Sequence, residues 1–440
     1  MKSQRIIRTY LVLAGLYTLS TSVIWGVNTL FLLDAGLDLF QVFLANAVFT
    51  GSMALFEIPT GVLADTRGRR ASFLLSVAIL FIGTLGYVGV ASVGGGVLLF
   101  SLMSVLLGLG YTFYSGAMEA WLVDALKDTG YTGQLDRVFA RGSIVSGAAM
   151  LVGSVGGGIL GTSDLGLPFL ARAALLALVF VVAYFSMFDM GFTPRSMKLA
   201  EYPAEMRKIA RVSVNFGWNK TSVRLLMITS FIQGIFFAWG FYAWQPYFLE
   251  LLGQDLPWVA GVIAALVALA TIAGNSLVEW LTRFCGKRTT LLLWAAGVQS
   301  VAAVGVGLAS SFWVAVALYL VVMGASGVWM PVRQAYLHQV IPSEQRATVV
   351  SFDSFFASLG SMFGQTGLGR LAQVQSIDAG YVVGGLFSAL AVPVVLALRR
   401  LDEPADRFVG TVGKQGACAA QGLPSVTSVD TTTHVLKVVD

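Results

Sequence analysis

The sequence is short of charged residues. Only 12% of its 440 residues are Asp, Glu, Lys or Arg, against about 25% in a typical soluble domain. At the same time 56% of the residues are hydrophobic, and the mean hydropathy is +0.78. This composition excludes a soluble globular protein and predicts one that is embedded in a lipid bilayer.

Cysteine and histidine are also scarce, at two residues each. The two cysteines fall in segments that we expect in the cytoplasm, which excludes a disulfide framework. No convergent set of His, Cys or Ser-His-Asp residues is apparent, so we predict no enzyme activity, metal site or cofactor. The ATP-binding pattern Gly-x-x-x-x-Gly-Lys-Ser/Thr is absent as well, so ATP-driven transport would require another chain. The net charge of +5 comes from basic residues spread over many short loops, which does not indicate a nucleic acid partner.

What the sequence has instead is a series of apolar runs, each long enough for a helix that crosses about 30 Å of hydrocarbon. They are too long for the strands of a transmembrane β-barrel, which alternate over about ten residues. The first run is also too long for a cleaved signal peptide, so we expect it to be retained. The predicted spans are residues 7–33, 39–64, 71–92, 97–124, 138–160, 166–188, 223–249, 257–282, 289–309, 312–337, 347–371 and 378–398.

The distribution of basic residues predicts the orientation of these twelve spans. With the N-terminus inside, every Lys and Arg except Arg172, Arg333 and Arg370 falls in a cytoplasmic segment, as the positive-inside rule requires. We therefore expect a multi-pass protein with both termini in the cytoplasm. The membrane is expected to be the plasma membrane, which in a bacterium is the inner membrane.

The spans divide into two sets of six. We predict an N-terminal six-helix bundle over residues 1–188, a cytoplasmic linker over 189–222, a C-terminal six-helix bundle over 223–400 and a disordered cytoplasmic tail over 401–440. A shift of about 218 residues superimposes the two sets and aligns "GRR" at 68–70 with "GKR" at 286–288. This pattern is typical of the parallel internal repeats found in one large class of transporters.

The loop after the second span carries the most specific motif, "GVLADTRGRR" at 61–70. It resembles the cytoplasmic-loop signature of the major facilitator superfamily, Gly-x-x-x-Asp-x-x-Gly-Arg-Arg/Lys, through Gly61, Asp65, Gly68, Arg69 and Arg70. The resemblance covers about residues 1–400 and implies an all-α membrane fold of two six-helix bundles around a cavity that opens alternately to either side. It also implies that Asp65 and Arg69 act in a latch between the bundles, and the start of span 11 near 341–348 is one candidate partner for Asp65. The alternative is that the arginines only anchor the topology.

Other motifs bear on the branch of the family. The stretch "GSVGGG" at 153–158 resembles the exporter signature Gly-Pro-x-x-Gly-Gly, with Ser154 in place of the proline. The arginine expected in span 4 of many proton-coupled drug exporters is missing, and span 4 carries Glu119 and Asp124 instead. Together with "EIPTG" at 57–61, these features resemble a less characterised drug-exporter-like branch.

Charged residues inside spans are costly, so they are functional candidates by default. They are Glu57, Glu119, Arg172, Glu279, Arg333 and Asp353. Because burial favours the neutral form of a carboxyl group, we predict that Glu57 exchanges protons; a structural hydrogen bond to a neighbouring helix is the alternative. Glu119, Asp124 and Asp353 are the other predicted proton-coupling residues. A further hypothesis is a Glu119–Arg333 pair that bridges the halves when the cytoplasmic side is shut; the alternative is that each finds a partner within its own bundle.

Polar and aromatic residues at helical spacing predict the substrate cavity. They are Tyr17, Trp25, Asn28, Tyr114, Gln233, Trp244, Trp329 and Arg333. Such a lining suits lipophilic or amphipathic organic molecules, although aromatic stripes also arise from helix packing alone.

The function predicted from these features is secondary active transport, with proton-coupled export of small organic compounds by a monomer. The partners are then a small organic substrate, protons and the lipid bilayer. A metabolite uptake symporter or facilitator is the nearest alternative, and a non-transporting membrane receptor or scaffold is an alternative of a different class.

Overall fold

The computed structural model describes residues 3–191, 217–341 and 346–408, and these are almost entirely helical. The first half comprises α1 Ser3–Ser22, α2 Asn28–Asp34, α3 Leu39–Arg67, α4 Arg69–Ser92, α5 Val97–Tyr114, α6 Ala117–Asp128, α7 Leu135–Ser163 and α8 Leu167–Ser186. The second half comprises α9 Thr221–Leu252, α10 Pro257–Thr282, α11 Arg288–Leu308, α12 Phe312–Val340, α13 Arg346–Val374, α14 Ile377–Ala389 and α15 Ala391–Arg400.

These helices make twelve passes, as predicted, because three passes consist of two consecutive helices each: α1 with α2, α5 with α6, and α14 with α15. Within the described residues, ten of the passes are long and apolar enough to cross a membrane by composition alone. The remaining two, α1 with α2 and α13, carry more polar residues. Ser3 and Arg400 lie on one side of the bundle, here called the terminal side, and the other side is the distal side.

The sequence predicts continuous first and fourth spans, but both are broken. In the first, residues 23–27 form turns between α1 and α2, where Gly26 lies against the second half; a Cβ on Gly26 would meet the carbonyl oxygen of Ala260 at 3.0 Å. In the fourth, Gly116 separates α5 from α6 with a φ of 71°, a backbone conformation that glycine adopts without steric cost. Each break interrupts the backbone hydrogen bonding that a continuous helix would make.

The first residues of the predicted tail, 401–408, are described and contact the second half. Residues Pro404–Asp406 form a 3₁₀ helix, and Asp406 accepts hydrogen bonds from the backbone nitrogen and the hydroxyl of Thr289 at 2.7 and 2.8 Å. Residues 409–440, and residues 192–216 of the predicted linker, lie outside the described residues.

Candidate functional site

The two halves meet closely on the distal side. Gly158 of α7 and Gly261 of α10 approach so closely that a Cβ on either would lie 2.7 Å from the Cα of the other. A second contact joins α3 to α13, where Gly369 packs against Phe43. Small residues let helices approach in this way, so the distal side is sealed by backbone packing.

Gln245 of α9 adds hydrogen bonds to this seal. Its Oε1 accepts from the backbone nitrogen of Thr29 at 2.8 Å, and its Nε2 donates to the carbonyl oxygen of Trp25 at 2.9 Å. The break in the first pass supplies both backbone groups, and Gln245 itself is fully buried. The break is therefore what allows one side chain to connect the two halves.

The contacts between the halves described above lie toward the distal side. Nearer the terminal side, Leu55 of α3 and Ile144 of α7 are 67% and 71% exposed.

A cavity of about 330 Å³ lies between the halves, below the seal. It is mainly apolar, and the first half contributes Trp25 and Met150. The predicted cavity residue Trp244 lines it with Phe237 and Phe241. Its polar lining comes from Thr271 and Asn275 of α10, which the sequence does not distinguish from other polar residues in spans.

A smaller cavity of about 70 Å³ adjoins it on the side of the first half. The predicted residues Trp25 and Asn28 line this cavity, and so does Arg172 of α8. Arg172 is only 2% exposed, and its guanidinium carbon lies 5.9 Å from the ring centroid of Tyr111. The charge of Arg172 is visible in the sequence, but its place in the cavity is not.

Tyr17 and Tyr114, both predicted to line the cavity, stack on each other with ring centroids 3.7 Å apart and an interplanar angle of 7°. Tyr17 is 4% exposed, and its hydroxyl makes no hydrogen bond within the described residues. Glu119 follows in the first turn of α6 and is exposed. An acidic residue in the first turn of a helix interacts favourably with the helix dipole, by about 0.3–1 kcal/mol.

Two other predicted cavity residues lie inside the second half. Gln233 accepts hydrogen bonds from Ser388 at 2.6 Å and from Gln299 at 3.3 Å. Trp329 is 3% exposed and packs in an apolar cluster that includes Leu292. Neither residue lines the two cavities described above.

Arg333 pairs with Asp353 and not with Glu119. Its Nη1 donates to Oδ1 of Asp353 at 2.9 Å, and its Nη2 donates to Oδ2 at 2.6 Å. Ser230 completes the cluster by donating to Oδ1 at 2.7 Å. Both side chains of the pair are 6% exposed. In this conformation Arg333 therefore has its partner within its own half, which is the alternative to a pair with Glu119.

The remaining predicted proton-coupling residues are less enclosed. Glu57 of α3 is half-buried, and its carbonyl oxygen accepts from the hydroxyl of Thr60 at 3.2 Å. Asp124 of α6 is half-buried near the terminal side, and its carbonyl oxygen would lie 2.6 Å from a Cβ on Gly191.

The loop motif closes a turn within the first half. Gly68 has a φ of 105°, and the backbone nitrogen of Arg70 donates to Oδ1 of Asp189 at 2.9 Å. The guanidinium of Arg70 donates to the carbonyl oxygen of Tyr184 at 2.8 Å. The side chain of Asp65 and those of residues 342–348 in its predicted partner segment, 341–348, are not described, so the latch role of Asp65 and Arg69 stays a prediction. Gly61 is exposed, with open space where a Cβ would lie.

The same arrangement recurs in the second half, at positions related by the shift of about 218 residues. Thr289 follows "GKR" and donates its backbone hydrogen to Asp406 after the last helix, as Arg70 does to Asp189. This correspondence is consistent with duplicated halves.

The sequence profile of the Major Facilitator Superfamily matches residues 10–265 and 257–430. The chain belongs to this superfamily. Its predicted fold and its class, a membrane transporter and not an enzyme, are thereby confirmed.

Two relatives within the superfamily are similar to this chain over most of its length. The "Uncharacterized MFS-type transporter YxaM" of Bacillus subtilis (strain 168) is 21% identical over 380 residues, covering 85% of this chain and 90% of that protein. The "Tetracycline resistance protein, class C" of Escherichia coli is 26% identical over 316 residues, covering 69% of this chain and 73% of that protein.

Solved structures share the fold at lower identity. The nucleoside transporter NupG superimposes with a TM-score of 0.73 at 11% identity, covering 89% of this chain and 98% of that one. A D-xylose-proton symporter superimposes with a TM-score of 0.64 at 15% identity, covering 90% and 97%.

Proposed function

We propose that this protein exports small lipophilic or amphipathic organic compounds in exchange for protons. The observation that carries the proposal is the 330 Å³ cavity between the halves, which is lined mainly by aromatic and aliphatic side chains. Cavities of this kind bind apolar molecules through burial, with a few polar groups for orientation. The similarity to a tetracycline resistance protein supports the direction of transport.

The proposed cycle is alternating access across a bacterial inner membrane. With both termini in the cytoplasm, as the basic loops predict, the terminal side is the cytoplasmic side and this conformation faces inward. Substrate then enters between the terminal ends of the halves and binds at Trp25, Phe237 and Trp244. Opening of the distal seal at Gly158 and Gly261 releases it outside.

Asp353 is the coupling residue that the geometry favours among the predicted carboxylates. Its carboxyl group accepts hydrogen bonds from Arg333 and Ser230 in a buried site. Protonation of Asp353 would leave the guanidinium of Arg333 buried without a negative countercharge, which is strongly unfavourable. Proton uptake is therefore expected to move α12 and α13 relative to each other, so that a proton step is linked to a conformational step.

Uptake of a polar metabolite is the second candidate. Its support is the smaller cavity, where Asn28, Asn46 and Arg172 offer polar groups. The solved nucleoside and xylose transporters share the fold alone and do not decide between the two directions.

Proton release from liposomes with an acidic interior separates these candidates. Purified protein is reconstituted, and a trapped pH dye is followed after addition of tetracycline, ethidium, xylose or a nucleoside. Substrate-triggered proton release by tetracycline or ethidium, lost in Asp353→Asn, is the expected result. Glu57→Gln and Glu119→Gln test the other predicted carboxylates, and Glu279→Gln is the matched control because Glu279 is 86% exposed in its side chain.

Substitution of the cavity aromatics tests the site itself. Trp25→Ala and Trp244→Ala are expected to raise the half-saturating substrate concentration roughly tenfold or more, since an aromatic anchor contributes about 1.4 kcal/mol or more. Substrate flux without any dependence on the pH gradient would contradict proton coupling, and proton-linked flux of xylose or the nucleoside alone would favour the uptake transporter.

A further inference from the structure

The smaller cavity contains a buried positive charge that no described side chain neutralises. Arg172 is 2% exposed, and its Nε and Nη2 make no hydrogen bond within the described residues. No Asp or Glu is among the residues that line this cavity. An unpaired charge in a membrane-embedded helix is costly and usually marks a binding site or an ion pathway.

Asn46 adds a second unpaired donor to the same cavity. Asn46 is 4% exposed, and its Oδ1 accepts from Nδ2 of Asn28 at 3.4 Å. This contact leaves the Nδ2 of Asn46 buried without an acceptor in the described part of the chain. Buried donors nearly always have partners in folded proteins, so a cavity that holds several unpaired donors and no carboxylate is built for an acceptor from outside the chain.

The position of Arg172 is fixed by aromatic neighbours. Its guanidinium lies toward the ring of Tyr111, and Tyr87 and Tyr242 also line the cavity. Tyr87 is already bonded to Ser104 at 2.6 Å, so its hydroxyl does not satisfy the guanidinium. Aromatic faces stabilise a guanidinium by about 0.5–2 kcal/mol and leave its N–H groups available to an anion.

We infer that Arg172 and Asn46 bind a carboxylate group of the transported compound. This inference rests on the proposed function and narrows its substrate class to organic acids with an apolar or aromatic body. A cavity of about 70 Å³ accommodates a carboxylate but not a whole substrate. A guanidinium matches the planar geometry of a carboxylate and binds it through two parallel hydrogen bonds.

The apolar body of such a compound has a place next to the carboxylate. Trp25 and Phe241 line both cavities, and their rings are in edge contact with centroids 6.1 Å apart. A molecule with its carboxylate at Arg172 extends past this ring pair into the apolar 330 Å³ cavity. Trp25 is also bonded to Gln245 through its carbonyl oxygen, so an occupied site contacts the segment that seals the distal side.

A binding assay with three matched probes tests the assignment. The probes are 1-naphthaleneacetate, its neutral amide and 1-naphthylethylamine, which carry a negative, a neutral and a positive group on the same aromatic body. Dissociation constants are measured with the purified full-length protein by quenching of tryptophan fluorescence at pH 7. Wild type, Arg172→Gln, Arg172→Lys and Asn46→Ala are compared, with Arg370→Gln as the control because Arg370 is an exposed arginine beside the ring of Phe40.

Wild type is expected to bind the carboxylate about ten- to a hundredfold more tightly than the amide, as buried charge-assisted hydrogen bonds imply. Arg172→Gln removes this preference, Arg172→Lys retains part of it, Asn46→Ala reduces it and Arg370→Gln leaves it unchanged. Equal binding of carboxylate and amide by wild type overturns the inference, and so does a preference that persists in Arg172→Gln. Should Arg172→Gln fail to fold, wild type and Asn46→Ala still decide.

The proposed function is tested separately by the liposome assay, in which the three naphthalene probes are added beside the compounds given above. Proton-linked flux of neutral or cationic compounds without any carboxylate preference retains the export proposal and overturns the role of Arg172. Carboxylate binding that depends on Arg172, without flux of any probe, supports the binding site and contradicts transport of these compounds.

Discussion

Replacing Arg333 with methionine is expected to destabilise the protein strongly. The substitution leaves the carboxylate of Asp353 only 4% exposed, with the hydroxyl of Ser230 as its one remaining partner in the described structure. Removal of one member of a buried ion pair costs about 3–5 kcal/mol, because the other charge stays buried without compensation. Asp353→Leu is expected to cost a similar amount for the same reason.

The double variant is the sharper measurement. Arg333→Met with Asp353→Leu replaces both charges by apolar side chains of similar size, and such replacements are often close to neutral. We expect its free energy of unfolding to lie within about 1 kcal/mol of wild type, which gives a coupling energy of several kcal/mol in a double-mutant cycle. Equilibrium unfolding in mixed micelles at pH 7, followed by tryptophan fluorescence, measures all four proteins.

An exposed pair supplies the control. Arg283 directly follows α10 and contacts Glu279 of that helix at 3.4 Å, and their side chains are 68% and 86% exposed. Such pairs contribute about 0.3–0.5 kcal/mol, so the same cycle there should give little coupling. If the single variants of Arg333 and Asp353 cost less than about 1 kcal/mol, the pair is not the buried, mutually dependent unit described here.

Further predictions concern the loop motif, the seal and the second-half loop. Gly68→Ala is expected to destabilise the protein by about 1–2 kcal/mol, because φ is positive and the new Cβ would lie 2.7 Å from Asp189. Gly61→Ala has open space around the new Cβ and should stabilise α3 by about 0.5–1 kcal/mol. Thermal unfolding of both variants checks this contrast. Gln245→Leu removes two hydrogen bonds between the halves and should favour the distally open state by about 1–3 kcal/mol, measured as a change in spin-label distances across the distal side. Hydrogen bonding and charge from Lys287, with a contribution from Arg407, lower the pKa of Asp402. Asp402 therefore contributes a small stabilisation above the ordinary aspartate pKa, and this contribution vanishes as the pH falls through the lowered pKa. The difference in unfolding free energy between wild type and Asp402→Asn should follow the same pH dependence.

The sequence by itself determined the class of protein and the number of passes. Hydropathy is a local property, and bilayer thickness sets the length of each span, so the apolar runs predict the helices to within a few residues. The loop motif at 61–70 is equally local, and it led to the correct superfamily. Asp189, its partner, was not predicted, because nothing in the sequence distinguishes it from other charged residues of the linker.

Only the tertiary structure decided which face of each helix is turned to the cavity. Lipid chains are as apolar as the protein core, so a membrane helix shows little contrast between its inner and outer faces. Gln233 and Trp329 lie at helical spacing within their spans, as Trp244 does, yet both pack within the second half. Arg333 pairs with Asp353 on a neighbouring helix. The breaks at residues 23–27 and at Gly116 likewise follow from contacts with other helices and from backbone geometry, and they place Trp25 and Glu119 where a straight helix would not.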